Sequence, residues 1–242
     1  MATLLSIAPV DGNSSVTQID VGNSSPKLGG TLNVSAFPNL EEIRCDGNDI
    51  AEFTGYAENP NIKVVLASQN QLSGPIPDIT GMTSLEYFWV MVNNFTGSFP
   101  DISQNTELRL INVGGNNLTG TLPASIEFPS MFRFNVYDNS FTGSIPDCSN
   151  TPNLDYLLAD GNSLTDFTGG FPTALRRIFL NNNNLTETAV DNVLQAVVDA
   201  NRTTNMSGCV INLGGSGNSA PSAAGIANKN TLIGRGWSVS TN

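Results

Sequence analysis

The sequence predicts an α/β repeat protein, a solenoid of short parallel strands with loops and 3₁₀ turns on the opposite side and an α/β cap at the C-terminus. Three observations predict this class. One frame recurs eight times at intervals of 21 to 24 residues. Within each copy, apolar residues alternate before an Asn. After Thr186 the apolar spacing changes from alternate positions to that of a helix. An internal period of this length is typical of a repeat array, so we treat the 242 residues as one array.

The frame is clearest in the stretch LEYFWVMVNNFTGSFP, residues 85–100. Leu85, Phe88 and Val90 lie eight, five and three places before Asn93. Alternation with period two predicts a strand whose apolar side faces the core. One copy cannot cover its own apolar face, so only a stack of copies is expected to be stable.

The Asn that follows each strand is predicted to be structural. Its amide group both donates and accepts hydrogen bonds, which suits the backbone groups that the turn leaves unpaired. The first copy has Ser24 at this place. The predicted Asn ladder consists of Asn48, Asn70, Asn93, Asn116, Asn139, Asn162 and Asn183.

The frame L-x-x-L-x-L-x-x-N-x-L resembles the leucine-rich repeat family over residues 16–185. Four copies continue with LSGPIP, FTGSFP, LTGTLP and FTGSIP, which resemble the plant-specific subclass. The resemblance implies a right-handed horseshoe with a parallel β-sheet on its concave face and a second short strand beside the first. The copies at Asn48 and Asn162 lack the x-I-P run, so the sequence does not predict whether they form the second strand.

The C-terminal region is predicted to cap the solenoid. Thr186 is a candidate N-cap for a first helix, and a strand-like CVINL follows at 209–213. A second helix is predicted over 221–233, with Gly234 just past its end, and WSVSTN is predicted as an edge strand. This cap resembles those of leucine-rich proteins in tailed bacteriophages and marine bacteria. The predicted organisation is therefore an N-terminal cap or mounting segment (1–15), eight repeats (16–185) and the C-terminal cap (186–242).

Composition excludes several classes of function. A net charge of −11 and a pI near 4.2 argue against nucleic-acid or anionic membrane partners. No run of about 18 apolar residues is present, and the N-terminal residues do not resemble a secretory signal. The chain has no His, which removes the usual general base and the Ser-His and Cys-His pairs. We therefore expect no enzymatic activity and no cofactor.

The remaining polar candidates have structural interpretations. Asp78, Asp101 and Asp147 recur after Pro and form a column that is either a Ca²⁺ site or a set of turn caps; the sequence favours turn caps. The cysteines occupy apolar positions of the frame and are predicted to be buried without a disulfide.

The concave face is the candidate binding site. Residues that alternate with the core positions must point away from the core. Contiguous exposed apolar surface usually marks an interaction site, and Tyr, Trp, Met and Arg are enriched in such sites. The alternative is that these side chains only crowd and shield one another. The predicted ligand-binding residues are Val64, Leu66, Tyr87, Trp89, Met91, Leu110, Phe132, Arg133, Tyr137, Tyr156, Leu158 and Phe179.

These observations predict a non-catalytic recognition protein that binds a protein or glycan on another surface. The resemblance of the cap favours a phage virion adhesin or receptor-binding tail-fibre protein, with a host-surface molecule and other virion proteins as partners, on a virion or an extracellular surface. Two alternatives remain. One is a bacterial surface adhesin or a receptor-type ectodomain fragment. The other is a structural capsid or tail decoration protein.

Overall fold

A computed structural model describes residues 2–3, 15–57, 59–200 and 208–242 of the chain. The chain divides into two compact units, Met1–Leu118 and Thr119–Asn242, which are described in turn. Most of the predicted N-terminal segment, residues 1–15, lies outside the described residues.

The first unit contains a main sheet of parallel strands in the order β10-β8-β6-β4-β2, in which each strand precedes the turn of its repeat. The middle residues of these strands stand in register and are buried, as in Ile43, Val65 and Phe88. Outer strands pair as β1-β3-β5 and β7-β9, and all of them except β1 follow the turn of a repeat. The ten strands are β1 Ala2–Thr3, β2 Gln18–Asp20, β3 Leu28–Asn33, β4 Glu42–Arg44, β5 Asp49–Thr54, β6 Val64–Leu66, β7 Ser73–Pro75, β8 Tyr87–Trp89, β9 Asn94–Thr96 and β10 Leu110–Asn112.

The second unit repeats this plan and adds the cap. Its main sheet has the order β18-β17-β16-β14-β12, and its outer strands pair as β11-β13-β15. The elements are β11 Thr119–Thr121, β12 Arg133–Asn135, β13 Ser140–Ser144, β14 Tyr156–Leu158, β15 Ser163–Asp166, β16 Arg177–Phe179, α1 Glu187–Asp199, β17 Val210–Asn212, α2 Ala223–Gly234 and β18 Ser238–Ser240.

Outer strands also form in the two copies for which the sequence did not predict whether a second strand is present. β5 follows Asn48 and pairs with β3, and β15 follows Asn162 and pairs with β13. Both pairings contain a register shift, at Gly30/Thr31 and at Gly143/Ser144. Backbone pairing with the preceding copy therefore suffices for an outer strand, and the x-I-P run is not required.

The cap helices begin at side chains that accept backbone hydrogen bonds. Thr186 accepts from the N–H of Ala189 at 3.1 Å and starts α1, as its spacing predicts. Helix α2 begins two residues later than expected because Ser222, not Pro221, is the residue before its first turn, where it accepts from the N–H of Ala224 at 3.1 Å. The predicted fold class, a parallel-strand repeat solenoid with a small helical cap, is confirmed.

The three cysteines are buried, and none of them forms a disulfide. Burial and, to a lesser extent, the neighbouring Asp46 carboxylate raise the pKa of the Cys45 thiol to about 12. Burial also raises the pKa of the Cys148 thiol. Because only a thiolate is a strong nucleophile, these groups contribute packing rather than reactivity.

Candidate functional site

The ladder Asn residues hold the turn at the end of each main strand. Asn93 is buried and donates from Nδ2 to the carbonyl oxygens of Val90 and Ala67, at 3.0 and 2.9 Å. Its Oδ1 accepts from the N–H of Leu72 at 3.0 Å. Asn48, Asn70, Asn116, Asn162 and Asn183 are buried with the same pattern of donors and acceptors, and Asn139 is half-buried.

A further rung, at Asn218, was missed by the sequence pattern. Its Nδ2 donates to the carbonyl oxygens of Leu180 and Leu213, and its Oδ1 accepts from the N–H of Leu185 at 3.0 Å. In the repeats the Asn lies five places after the central apolar residue, whereas Asn218 lies seven places after Ile211. This two-residue insertion hid the rung, although the strand-like CVINL before it was a usable signal.

The residue before each ladder Asn has a positive φ angle. Gly47, Gly115 and Gly161 adopt this conformation at low cost, but Val92 adopts it with φ 56°. A β-branched residue in the left-handed region is strained. Val92 is also one of the few large apolar side chains that are more than a third exposed among the described residues, at 47%. The alternation of apolar residues in the sequence does not reveal this backbone constraint.

We call the outward side of the first main sheet the first-unit face. It carries the predicted binding residues Val64, Leu66, Tyr87, Trp89 and Met91, all of them half-buried. These side chains come from adjacent strands in register, since Val64 pairs with Tyr87 and Leu66 with Trp89. The structure therefore brings them together as one partly exposed apolar surface.

Leu110 is a correction to the predicted site. It lies on the same face, in register with Tyr87, but only 3% of it is exposed. With so little of its surface exposed, Leu110 fits the crowding alternative at this position.

Trp89 lies at the middle of the first-unit face, between Leu66 on β6 and Asn112 on β10. Its Nε1–H is buried and has no hydrogen-bond partner among the described residues. A buried indole N–H usually has a partner. The adjacent Asn112 is already engaged, because it donates to the Met91 Sδ at 3.3 Å and accepts from the N–H of Gly114 at 3.1 Å.

We call the outward side of the second main sheet the second-unit face. Among its predicted residues, Tyr137, Tyr156, Leu158 and Phe179 line a cavity of about 340 Å³. Asp160 and Arg177 line the same cavity, although the predicted site omits both. Phe132 and Arg133 lie beside it, on and next to the strand that pairs with β14.

Two arginines contact one tyrosine on this face. Arg133, Tyr156 and Arg177 stand in register on β12, β14 and β16. The guanidinium carbon of Arg133 lies 4.2 Å from the centroid of the Tyr156 ring, and that of Arg177 lies 5.1 Å from it. Because β12 and β16 flank β14, the two cations approach the ring from opposite sides. Such contacts are attractive, at about 0.5–1 kcal/mol each where exposed.

Two arginines on the main strands lie close to carboxylates. The Oδ1 of Asp155 lies 3.7 Å from the Nε of Arg176. Arg44 is in register with Asp20 on the neighbouring strand, but it forms its ion pair with Glu42 on its own strand. Desolvation by burial, with a smaller contribution from Asp138, raises the pKa of the Asp160 carboxyl.

The column of Asp residues acts as turn caps. Asp78 accepts from the N–H of Thr80 at 2.9 Å, and Asp101 from that of Ser103 at 2.8 Å. Asp147 accepts from Ser149 and also from Gly170, both at 2.9 Å. Burial opposes ionisation of Asp147, but these N–H donors outweigh it and lower its pKa. In the part of the chain that the structure describes, no three His, Cys, Asp or Glu residues form a metal-binding group.

Comparison with known families gives one match, to the family described as Leucine Rich Repeat, over residues 107–128. No curated protein matches the chain. The matched stretch includes the LRLINVGGNNLTGTLP copy, so the match and the solenoid fold together support the leucine-rich repeat family.

Solved structures with the same fold include plant receptor ectodomains. The ectodomain of the Arabidopsis thaliana receptor kinase GASSHO1/SCHENGEN3, in complex with CASPARIAN STRIP INTEGRITY FACTOR 2, is 26% identical with a TM-score of 0.67, over 72% of this chain and 22% of that chain. The plant peptide hormone receptor RGFR1, in complex with RGF2, is 24% identical with a TM-score of 0.60, over 69% of this chain and 32% of that chain. A plant ice-binding protein is 21% identical with a TM-score of 0.59, over 72% of this chain and 59% of that chain. This chain thus spans about a third or less of the two receptor ectodomains.

Among the described residues, no helix has both the length and the apolar character needed to cross a membrane. α1, at 13 residues, is the longest of the described helices, and its exposed side is polar.

Proposed function

We propose that this protein is a non-catalytic recognition module that binds a protein partner through the outward faces of its main sheets. The observation that carries this proposal is the first-unit face, where aromatic and aliphatic side chains from adjacent strands remain partly exposed around Trp89. Exposed Trp and Tyr at the centre of an apolar patch are typical of binding hot spots.

The fold relatives favour a protein or peptide partner. GASSHO1/SCHENGEN3 was solved in complex with CASPARIAN STRIP INTEGRITY FACTOR 2, and the peptide hormone receptor RGFR1 in complex with RGF2. They are also receptor proteins, which favours an extracellular or surface-exposed setting for this chain. A glycan ligand remains an alternative, because aromatic platforms such as Tyr87 and Trp89 also stack on sugar rings.

For the biological setting, we propose a phage virion adhesin or receptor-binding tail-fibre protein. This rests on the resemblance of the C-terminal region, residues 186–242, to the caps of leucine-rich proteins in tailed phages and marine bacteria. The alternatives are a bacterial surface adhesin or receptor-type ectodomain fragment and a structural capsid or tail decoration protein. Identification of tail or capsid genes beside the coding sequence would favour the virion settings.

A cell-binding experiment tests the face. Fluorescently labelled protein is incubated with a panel of bacterial strains, and binding is measured by flow cytometry for wild type and for Tyr87→Ala with Trp89→Ala. We expect binding to at least one strain, reduced tenfold or more in the double variant, since hot-spot residues contribute about 2 kcal/mol or more each.

The matched control removes similar apolar surface elsewhere. Ile226→Ala with Ile233→Ala truncates two side chains on α2 that are each 48% exposed. This variant should bind as wild type does. Equal binding by wild type and the Tyr87/Trp89 variant would contradict a role for the first-unit face.

A further inference from the structure

The second cap helix, α2, has an exposed side without charge. Its buried residues, Gly225 and Leu232, lie on one side of the helix. On the opposite side, exposed residues recur at spacings of three and four, and we call them the α2 stripe: Ala223, Ile226, Ala227, Asn230, Ile233 and Gly234. Ile226 and Ile233 are each 48% exposed, and Val92, at 47%, is the only other exposed large apolar side chain among the described residues.

The basic side chains near the stripe are held by other parts of the cap. The Nζ of Lys229 donates to the Oγ1 of Thr241 at 2.8 Å. A guanidinium nitrogen of Arg235 donates to the carbonyl oxygen of Val198, at the end of α1, at 3.0 Å. Neither charge belongs to the stripe, which therefore suits an apolar and uncharged partner surface.

The charge distribution of the chain favours contact between two copies at this end. All 21 Asp and Glu residues lie before residue 200, whereas residues 200–242 contain three of the ten Lys and Arg residues. Because the whole chain has a net charge of −11, the acidic surfaces of two copies repel each other. A stripe without charge, in a segment without acidic residues, avoids this repulsion, and the cores of protein interfaces are depleted of charged residues.

The α2 stripe is also self-complementary about Asn230. In an antiparallel pair of α2 helices centred on this residue, Ile226 of each copy lies near Ile233 of the other. Ala227 and Gly234 are small and allow the two helices to approach closely. The two Asn230 side chains meet near the two-fold axis, where each amide can donate to and accept from the other. An Asn at one interface position specifies the register of paired helices.

We propose that α2 is a homodimer interface, through which two copies of this chain associate by antiparallel pairing of their α2 stripes. This inference goes beyond the proposed function, because the outward faces of the main sheets take no part in it. Each dimer carries two sets of these faces, so a partner that recurs on a surface would be bound by both copies. A helix of 12 residues provides a small interface, so we expect reversible association with a micromolar Kd.

Sedimentation equilibrium of the intact chain, from low micromolar to submillimolar concentration, measures this association. We expect the mass to rise with concentration from 25.6 kDa toward twice that value. The rise should be larger at physiological salt than at low salt, because salt screens the repulsion between two acidic chains.

Exposed apolar residues provide the matched variants. Ile233→Asp places a charge within the stripe and should leave a monomer at every concentration. Val92→Asp makes the same change of charge at a side chain of similar exposure outside α2, and it should dimerise as wild type does. Unchanged thermal unfolding of each variant would show that the fold is intact.

Oxidative cross-linking tests the register. Asn230→Cys places a thiol near the two-fold axis and should form a disulfide-linked dimer. Thr231→Cys, exposed on the same helix but outside the stripe, should cross-link about tenfold more slowly, because a disulfide forms only between closely placed thiols. The native cysteines are buried and do not compete.

Four results would overturn this inference. The first two are a chain that stays monomeric at submillimolar concentration and equal dimerisation of wild type and Ile233→Asp. The third is dimerisation that weakens as salt increases, which would indicate ion pairs between the cap and an acidic part of the second copy. The fourth is binding of the monomer to phosphatidylcholine vesicles that is lost in Ile233→Asp, which would assign the stripe to a membrane surface.

The proposed function is tested separately from the dimer. The cell-binding comparison uses labelled protein at nanomolar concentration, where wild type and the Ile226/Ile233 variant are both monomers. That variant therefore remains a valid control, and loss of binding on replacement of Tyr87 and Trp89 would support the first-unit face whether or not α2 forms a dimer.

Discussion

The side-chain oxygen of Asn93 accepts a hydrogen bond from the backbone N–H of Leu72, one repeat earlier in the chain, at 3.0 Å. The same amide group donates to the carbonyl oxygens of Val90 and Ala67. One buried side chain therefore satisfies backbone groups in two successive repeats, which ties each turn to the turn before it.

Replacing Asn93 with Ala should destabilise the protein strongly. The change leaves the buried N–H of Leu72 unpaired. It also removes the bonds from Asn93 to the carbonyl oxygens of Val90 and Ala67, which still accept from Asn116 and Asn70. We expect a loss of about 1–3 kcal/mol of unfolding free energy. Urea denaturation followed by circular dichroism measures the loss. Asn94→Ala is the matched control, since Asn94 is exposed and should change stability by less than about 0.5 kcal/mol. Similar losses in both variants would argue against a structural ladder.

Replacing Val92 with Asn should stabilise the protein. Val92 has φ 56°, a conformation that costs a β-branched residue about 1 kcal/mol or more and that Asn tolerates. The side chain is 47% exposed, so little packing is lost. We expect Tm to rise by about 2–4 °C in scanning calorimetry. Val90→Asn at the buried place two residues earlier should lower Tm instead; an unchanged or lower Tm for Val92→Asn would show that no strain is released there.

Stability should fall at alkaline pH because the Cys45 thiol and the Tyr56 hydroxyl are buried in their neutral forms. Burial holds the folded pKa of Cys45 near 12, above its ordinary value of 9.0, and raises that of Tyr56 as well. Below pH 9 the thiol is neutral in both states and the stability is complete. Between pH 9.0 and about 12 only the unfolded thiol ionises, so unfolding becomes easier. At pH 10.5 Cys45 alone should account for a loss of about 2 kcal/mol.

Cys45→Val tests this assignment, because valine occupies the same place of the frame at Val90, Val113 and Val136. Urea denaturation at pH 7.5 and 10.5 is compared for the two proteins. The variant should lose about 2 kcal/mol less than wild type over this interval. An identical loss would mean that Cys45 is not responsible.

Replacing Thr186 with Ala should weaken the C-terminal cap. Thr186 accepts from the N–H of Ala189 at the start of α1, and loss of such a cap costs about 1 kcal/mol. Thr188→Ala, two residues into the helix, removes a hydroxyl with no capping role and should be neutral or slightly stabilising. Thermal unfolding of both variants measures the difference. An equal decrease in both would point to the loss of a hydroxyl rather than of the cap.

The fold could be predicted from the sequence because every repeat has the same spacing of apolar residues before its Asn. The positions of Leu85, Phe88 and Val90 before Asn93 determine which side of the strand faces the core, and alternation follows from backbone geometry alone. The helix that starts after Thr186 was predictable for the same reason, since its spacing and cap are local. The rung at Asn218 was not, because an insertion broke the spacing that the prediction relied on.

The candidate site was predicted less completely. Alternation placed Leu110 on the outward face, but its exposure depends on the side chains beside it, and those cover it. Arg177 and Asp160 fall on the outward face by the same alternation, yet the sequence does not show that they line one cavity with Tyr156. The positive φ at Val92 follows from the turn shared by every repeat rather than from the valine itself.

By itself the sequence determined the strand positions, the Asn ladder and the side of each strand that faces the core, because these depend on residue spacing within one repeat. Only the tertiary structure decided which outward side chains remain exposed and which charges find a partner. These outcomes depend on contacts between neighbouring repeats, such as those of Arg133 and Arg177 with Tyr156. Each arginine is one repeat from the tyrosine, so they meet only when the strands are stacked.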